Sequence, residues 1–103
     1  MAEKKRFLKM AEFTQKVIAK SLYEERAKIL KNNQNSDTID ELLLRVIRAP
    51  HRKIYLSGED YRRIRDALNE FRNDLLATGH YTDGVDETMI KLLKAPYRKC
   101  REK

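Results

Sequence analysis

"DELLLRVIRAPHRK" (Asp40–Lys53) and "DETMIKLLKAPYRK" (Asp86–Lys99) say nearly the same thing 46 residues apart. Sliding the chain by that interval aligns Lys5–Lys53 with His51–Lys99 without a gap, and 13 of the 49 pairs are identical. Composition alone predicts roughly three. The identities include Arg6/Arg52, Ile18/Ile64, Leu22/Leu68, Arg26/Arg72, Asp40/Asp86 and Pro50/Pro96, with similar pairs such as Leu44/Ile90 and Ile47/Leu93 between them. Accidental amphipathic spacing explains the apolar matches. It does not explain a gapless run ending in Ala-Pro-His/Tyr-Arg-Lys. A tandem repeat is therefore expected, with a first unit over 1–50, a second over 51–97 and a basic tail over 98–103.

The chain has 103 residues, enough for one compact domain or two very small units sharing a core. Lys and Arg number 23 against 16 Asp and Glu, a formal charge of +7. The excess is spread evenly, with 11 basic and 7 acidic side chains over 1–50 and 12 and 9 over 51–103. Any binding face must therefore be built by folding. Three Gly and two Pro favour long helices and exclude an all-β sandwich. Cys100 stands alone and cannot form an internal disulfide, which points to a reducing compartment. The longest apolar run, Leu42–Leu44, falls far short of the roughly 20 residues of a membrane span. The first residues lack the apolar stretch of a signal peptide. A cytoplasmic protein without a membrane partner is the expectation.

Each unit reads as a short extended segment, a long helix and a short helix. "RKIYLS" (Arg52–Ser57) alternates in the manner of a half-buried strand. Ser57 then caps a helix whose first turn holds Glu59 and Asp60. Ile64, Ala67, Leu68, Phe71, Leu75 and Leu76 share one face of that helix. Gly79 supplies a left-handed stop, and Asn33 occupies the matching place in the first unit. The short helix starts near Thr82 or Asp83 and halts at Ala95, before Pro96. In the first unit "RFLKM" is the extended piece, Ala11 to about Lys31 the long helix and Asp37–Ala49 the short one, with a mobile loop "NNQNS" between them. The expected fold is mainly α with a short two-stranded antiparallel β-ribbon. The alternative is an all-α pair of two-helix repeats, because "FLKMAEF" suits a first helical turn equally well and 46 residues is within the period of HEAT or armadillo units.

A strand, helix, turn and helix present as a related pair resembles the ribbon-helix-helix family of DNA-binding proteins. Its fused form is similar to the tandem TraY-like proteins of conjugative plasmids. The resemblance implies that two strands pair into a ribbon that enters the major groove of double-stranded DNA. It also implies a repressor, or a transfer-origin accessory factor that works beside a relaxase. The chain would act as a monomeric pseudo-dimer or as a higher assembly on DNA. With Ile54 and Leu56 facing the core, Lys53 and Tyr55 face outward; by register Phe7 and Lys9 do the same. These four would read bases, Lys donating to guanine and an aromatic ring meeting a thymine methyl. Arg6 and Arg52 flank the strands and, with Arg62, Arg63 and Arg65, would contact the DNA backbone. The same helix arginines also have Glu59, Asp60 and Asp66 within pairing reach. The short helices depart from the family in beginning with acidic residues, Asp37, Asp40 and Glu41 in one and Asp83, Asp86 and Glu87 in the other.

Catalysis is not expected, and neither is a metal or cofactor. His51 and His80 have no metal-ligand spacing to Cys100 or to a carboxylate pair, and the three glycines sit singly rather than in a phosphate loop. The competing functional class is an all-helical basic adaptor or inhibitor that docks an acidic protein.

Overall fold

The computed structural model describes residues 4–99. The elements run β1 (Lys4–Lys9), α1 (Glu12–Lys31), α2 (Asp37–Ile47), β2 (Lys53–Leu56), α3 (Gly58–Ala77), α4 (Asp83–Leu93) and β3 (Tyr97–Lys99), with a 3-10 turn at Pro50–Arg52 before β2. The fold is mainly helical with one small antiparallel sheet, so the all-helical alternative is excluded. The sheet has three strands in the order β2-β1-β3 rather than the two expected. Tyr97–Lys99 is the added strand. Residues Arg98 and Lys99 of the expected tail belong to it, while Cys100, Arg101 and Lys103 lie outside the described residues. The short helices end two residues earlier than expected, at Ile47 and Leu93, where Pro50 and Pro96 already forbid continuation.

The bounds of α1 and α3, and of α2 and α4, differ by 46 residues at both ends. The interval extends to single atoms. Arg26 Nε donates to Asp40 Oδ1 at 2.6 Å, and Arg72 Nε donates to Asp86 Oδ1 at 2.7 Å. Ser36 Oγ and Thr82 Oγ1 donate to the second oxygen of the same carboxylates at 3.0 and 2.8 Å. The acidic helix starts thus serve the fold, each tying a short helix to the end of the preceding long one. The Arg72 hydrogen bond, with that from Thr82, holds the Asp86 carboxyl below its ordinary range. Asn33 and Gly79 both take left-handed backbone, at φ 58° and 75°. The connection "NNQNS" carries local bonds, Gln34 N to Ile29 O and Asp37 N to Asn35 Oδ1.

Alternation in the strands sends Leu8, Met10, Ile54 and Leu56 to one face, where all four are buried. Against them pack Ile18 and Leu22 of α1, Ile64, Ala67 and Leu68 of α3, and Ile39, Leu42, Val46, Val85 and Leu92 from the short helices. Leu76 is exposed rather than on the core stripe. The buried hydroxyls are satisfied: Ser21 donates to Val17 O and Thr88 to Gly84 O, both at 2.8 Å.

Ser57 and Asp60 form a reciprocal capping box at the start of α3, each side chain bonded to the other's amide at 3.1 Å. Arg45 of α2 donates to Asp60 at 2.8 Å and to the Tyr55 carbonyl at 2.7 Å. Its guanidinium therefore covers a main-chain acceptor of β2, opposite to the side paired with β1. Partial burial pushes the Asp60 carboxyl up, but the bonds from Arg45 and from the Ser57 amide outweigh it and leave it below 3.8. A carboxyl lowered by folding stabilises fully above its unfolded pKa, and that contribution is lost as pH falls below it. Ser57→Ala is expected to cost about 1 kcal/mol of unfolding free energy, read by urea denaturation. In Arg45→Ala, NMR titration of the Asp60 carboxyl should show its midpoint rise, and the loss of stability on acidification should shrink accordingly.

Candidate nucleic-acid interface

β1 and β2 pair antiparallel with Arg6 opposite Leu56, Phe7 opposite Tyr55, Leu8 opposite Ile54 and Lys9 opposite Lys53. Leu8 and Ile54 are themselves 46 residues apart. A local two-fold relation through that pair therefore exchanges the two strands. Strand alternation puts the four expected base-reading residues on the face away from the core. Phe7 and Tyr55 lie side by side, ring centroids 5.2 Å apart and tilted by 56°. The two lysines form the next rung. β3 extends this surface: Arg98 stacks over Phe7 at 4.5 Å, and Lys5 stands opposite Arg98. Among the described residues, this face presents Lys5, Phe7, Lys9, Lys53, Tyr55 and Arg98, a cationic surface around two rings with no carboxylate.

The expected backbone contacts divide. Arg52 is exposed at the turn into β2, with φ 58°. Arg6 points the other way. Its guanidinium lies 3.9 Å from the Tyr61 ring centre and 4.8 Å from that of Tyr97, and it reaches the Ala95 carbonyl at 3.5 Å. Sandwiched between two tyrosines, it fastens β3 and the end of α4 to β1 and α3 instead of standing free. On α3, Arg63 bonds Glu59 at 3.3 Å and Arg65 bonds Asp66 at 3.2 Å, while Arg62 is exposed. Arg63 lines a crevice with Glu25, Ile29 and Asn35, at the α1–α2 connection. No hydrogen bond, ion pair or ring contact joins any of the three to the six residues of the sheet face.

Sequence reasoning assigns Lys5 no role and places Arg98 in a basic tail rather than in a strand. The position of Arg98 relative to Phe7 depends on a third strand whose only sequence signal is the likeness of "YRK" to "HRK" at the start of β2. Beside β2 lies a further feature, a groove of about 620 Å³ between the end of α2 and the strand, lined by Leu44, Ala49, Pro50, Ile54, Phe7 and Tyr55 with Arg45, Arg48, His51 and Lys53. Comparison with protein-family models, with curated proteins and with solved structures finds no match. Replacing Arg6 with Ala should release β3. The measurement is hydrogen exchange at the Phe7 amide, which donates to Pro96 O at 2.7 Å and should lose protection in the variant.

Proposed function

We propose that the chain is a sequence-specific binder of double-stranded DNA, built as a tandem ribbon-helix-helix pair that lays the β1–β2 ribbon in the major groove. The observation that carries this reading is the strand register centred on Leu8 and Ile54, which gathers Phe7, Lys9, Lys53 and Tyr55 on one solvent face. A two-stranded ribbon matches the width of the major groove. Lysine ammonium groups donate to guanine O6 and N7, and the paired rings offer apolar contact to thymine methyls. The agreement of element bounds, ion pairs and strand register at one interval of 46 supports descent from a duplicated half. Repression at an operator, or service as a transfer-origin accessory factor beside a relaxase, is the role that goes with this architecture.

Arg52 and Arg98, at opposite flanks of the ribbon, are assigned to phosphates. Arg6 is not, because its guanidinium is already held between rings. The acidic starts of α2 and α4 do not grip phosphate either, since Asp40 and Asp86 are committed to Arg26 and Arg72. The test is a gel shift over a salt series with DNA from around the protein's own gene. Tight, sequence-dependent binding that falls steeply with salt is the expected result. Lys53→Ala should cost about 1–3 kcal/mol and relax specificity, whereas Arg52→Ala should weaken all sequences alike and reduce the salt slope by about one. Binding indifferent to sequence, or absent at moderate salt, overturns the proposal in favour of docking to an acidic protein.

A further inference from the structure

We propose that the groove between the end of α2 and β2 takes an unpaired nucleotide, its base lying against Leu44 and Tyr55 and its phosphate at Arg48. This rests on the reading of the sheet as a nucleic-acid surface and adds a second mode of recognition to it. A volume of about 620 Å³ is within the range of sites that hold small organic ligands, mononucleotides included. The walls are apolar, from Leu44, Pro50 and Ile54, and the ring of Tyr55 is backed by Phe7 at 5.2 Å. A half-buried, supported ring is a pre-formed stacking platform, and stacking accepts any base because every base has a π-face.

The charge around the groove is of one sign. Among the described residues its lining holds Arg45, Arg48 and Lys53 beside the His51 ring, and no carboxylate. Arg45 is occupied by Asp60 and the Tyr55 carbonyl, so it holds the wall; Arg48, His51 and Lys53 are exposed at the rim. The groove is also continuous with the ribbon face through Phe7, Tyr55 and Lys53. A strand that left a duplex lying on the ribbon would meet it directly. The arrangement belongs to one half of the molecule, because the 46-residue interval puts Lys9 where Tyr55 stands. Leu44, 47% exposed, lies in the groove lining with Arg45 and Arg48 and offers a base an apolar surface.

The experiment uses the full chain with two duplexes of the same sequence, one fully paired and one carrying a single unpaired 2-aminopurine, at low salt where duplex binding is indifferent to sequence. Anisotropy should show the bulged duplex bound about tenfold more tightly, and the 2-aminopurine emission should be quenched as its base stacks. Leu44→Glu, which sets a carboxylate in the groove, should bring the ratio of the two affinities to about one. Arg48→Glu, at an exposed position, should lower the same ratio and guards against a folding defect in the first variant. Equal affinities with undimmed emission overturn the groove and leave the ribbon reading standing. A preference that survives both substitutions overturns it as well, by placing the unpaired base elsewhere. Failure to bind either duplex overturns both readings. An acidic peptide that binds at moderate salt and is lost in Leu44→Glu, with the probe still bright, overturns it in favour of a protein partner.

Discussion

The pairing of β1 with β2 is the constraint on which the molecule depends. Two strands of six and four residues are too short to persist alone in water, and each helix pair leaves an apolar stripe uncovered. Joined in register, the strands present Leu8, Met10, Ile54 and Leu56 as one continuous floor, and the crossing helices close over it. A slip of one residue in β2 would turn Ile54 and Leu56 to solvent and drive Lys53 and Tyr55 toward the core, and a slip in β1 would do the same to Leu8 and Lys9. The same hydrogen bonds that hold the halves together therefore also decide which residues face outward.

That coupling explains why the core and the ribbon's solvent face were readable together. Period-2 alternation around Ile54 and Leu56, helical spacing around Ile64 and Leu68, and the stops at Asn33 and Gly79 are local signals, and the folded chain honours them. The 46-residue echo carried information beyond local propensity, since it aligned α1 with α3 and α2 with α4, whose bounds agree at that interval. The helix ends were overrun by two residues because proline pushes the residue before it out of helical backbone, as Ala49 at ψ 118° shows. The residue before that becomes the cap, Arg48 in α2 and Lys94 in α4.

What could not be read depends on contacts between residues far apart in the chain. Arg6 looks like a free cation in the sequence. Only the fold brings Tyr61 and Tyr97 to either side of its guanidinium. The twin Ala-Pro-His/Tyr-Arg-Lys segments have nearly the same side chains and different backbones. After α2 the chain must reverse into β2, and it does so with two consecutive left-handed residues, His51 and Arg52, at φ 54° and 58°. After α4 no such reversal is imposed, and Tyr97–Lys99 runs straight along β1 as a third strand. The arginines of α3 are a milder case: their acidic neighbours were visible, and Arg63 and Arg65 pair with Glu59 and Asp66.

The strand register has a geometric consequence at the centre of the sheet. Two separate identical chains related by a dyad must carry the same side chain at both symmetry-related positions. Here Phe7 corresponds to Lys53, and Lys9 to Tyr55, so one rung of the ribbon is wholly aromatic and the next wholly cationic. The surface has a head and a tail. A partner seated across both rungs would meet rings at one end and ammonium groups at the other, so its two orientations are not equivalent.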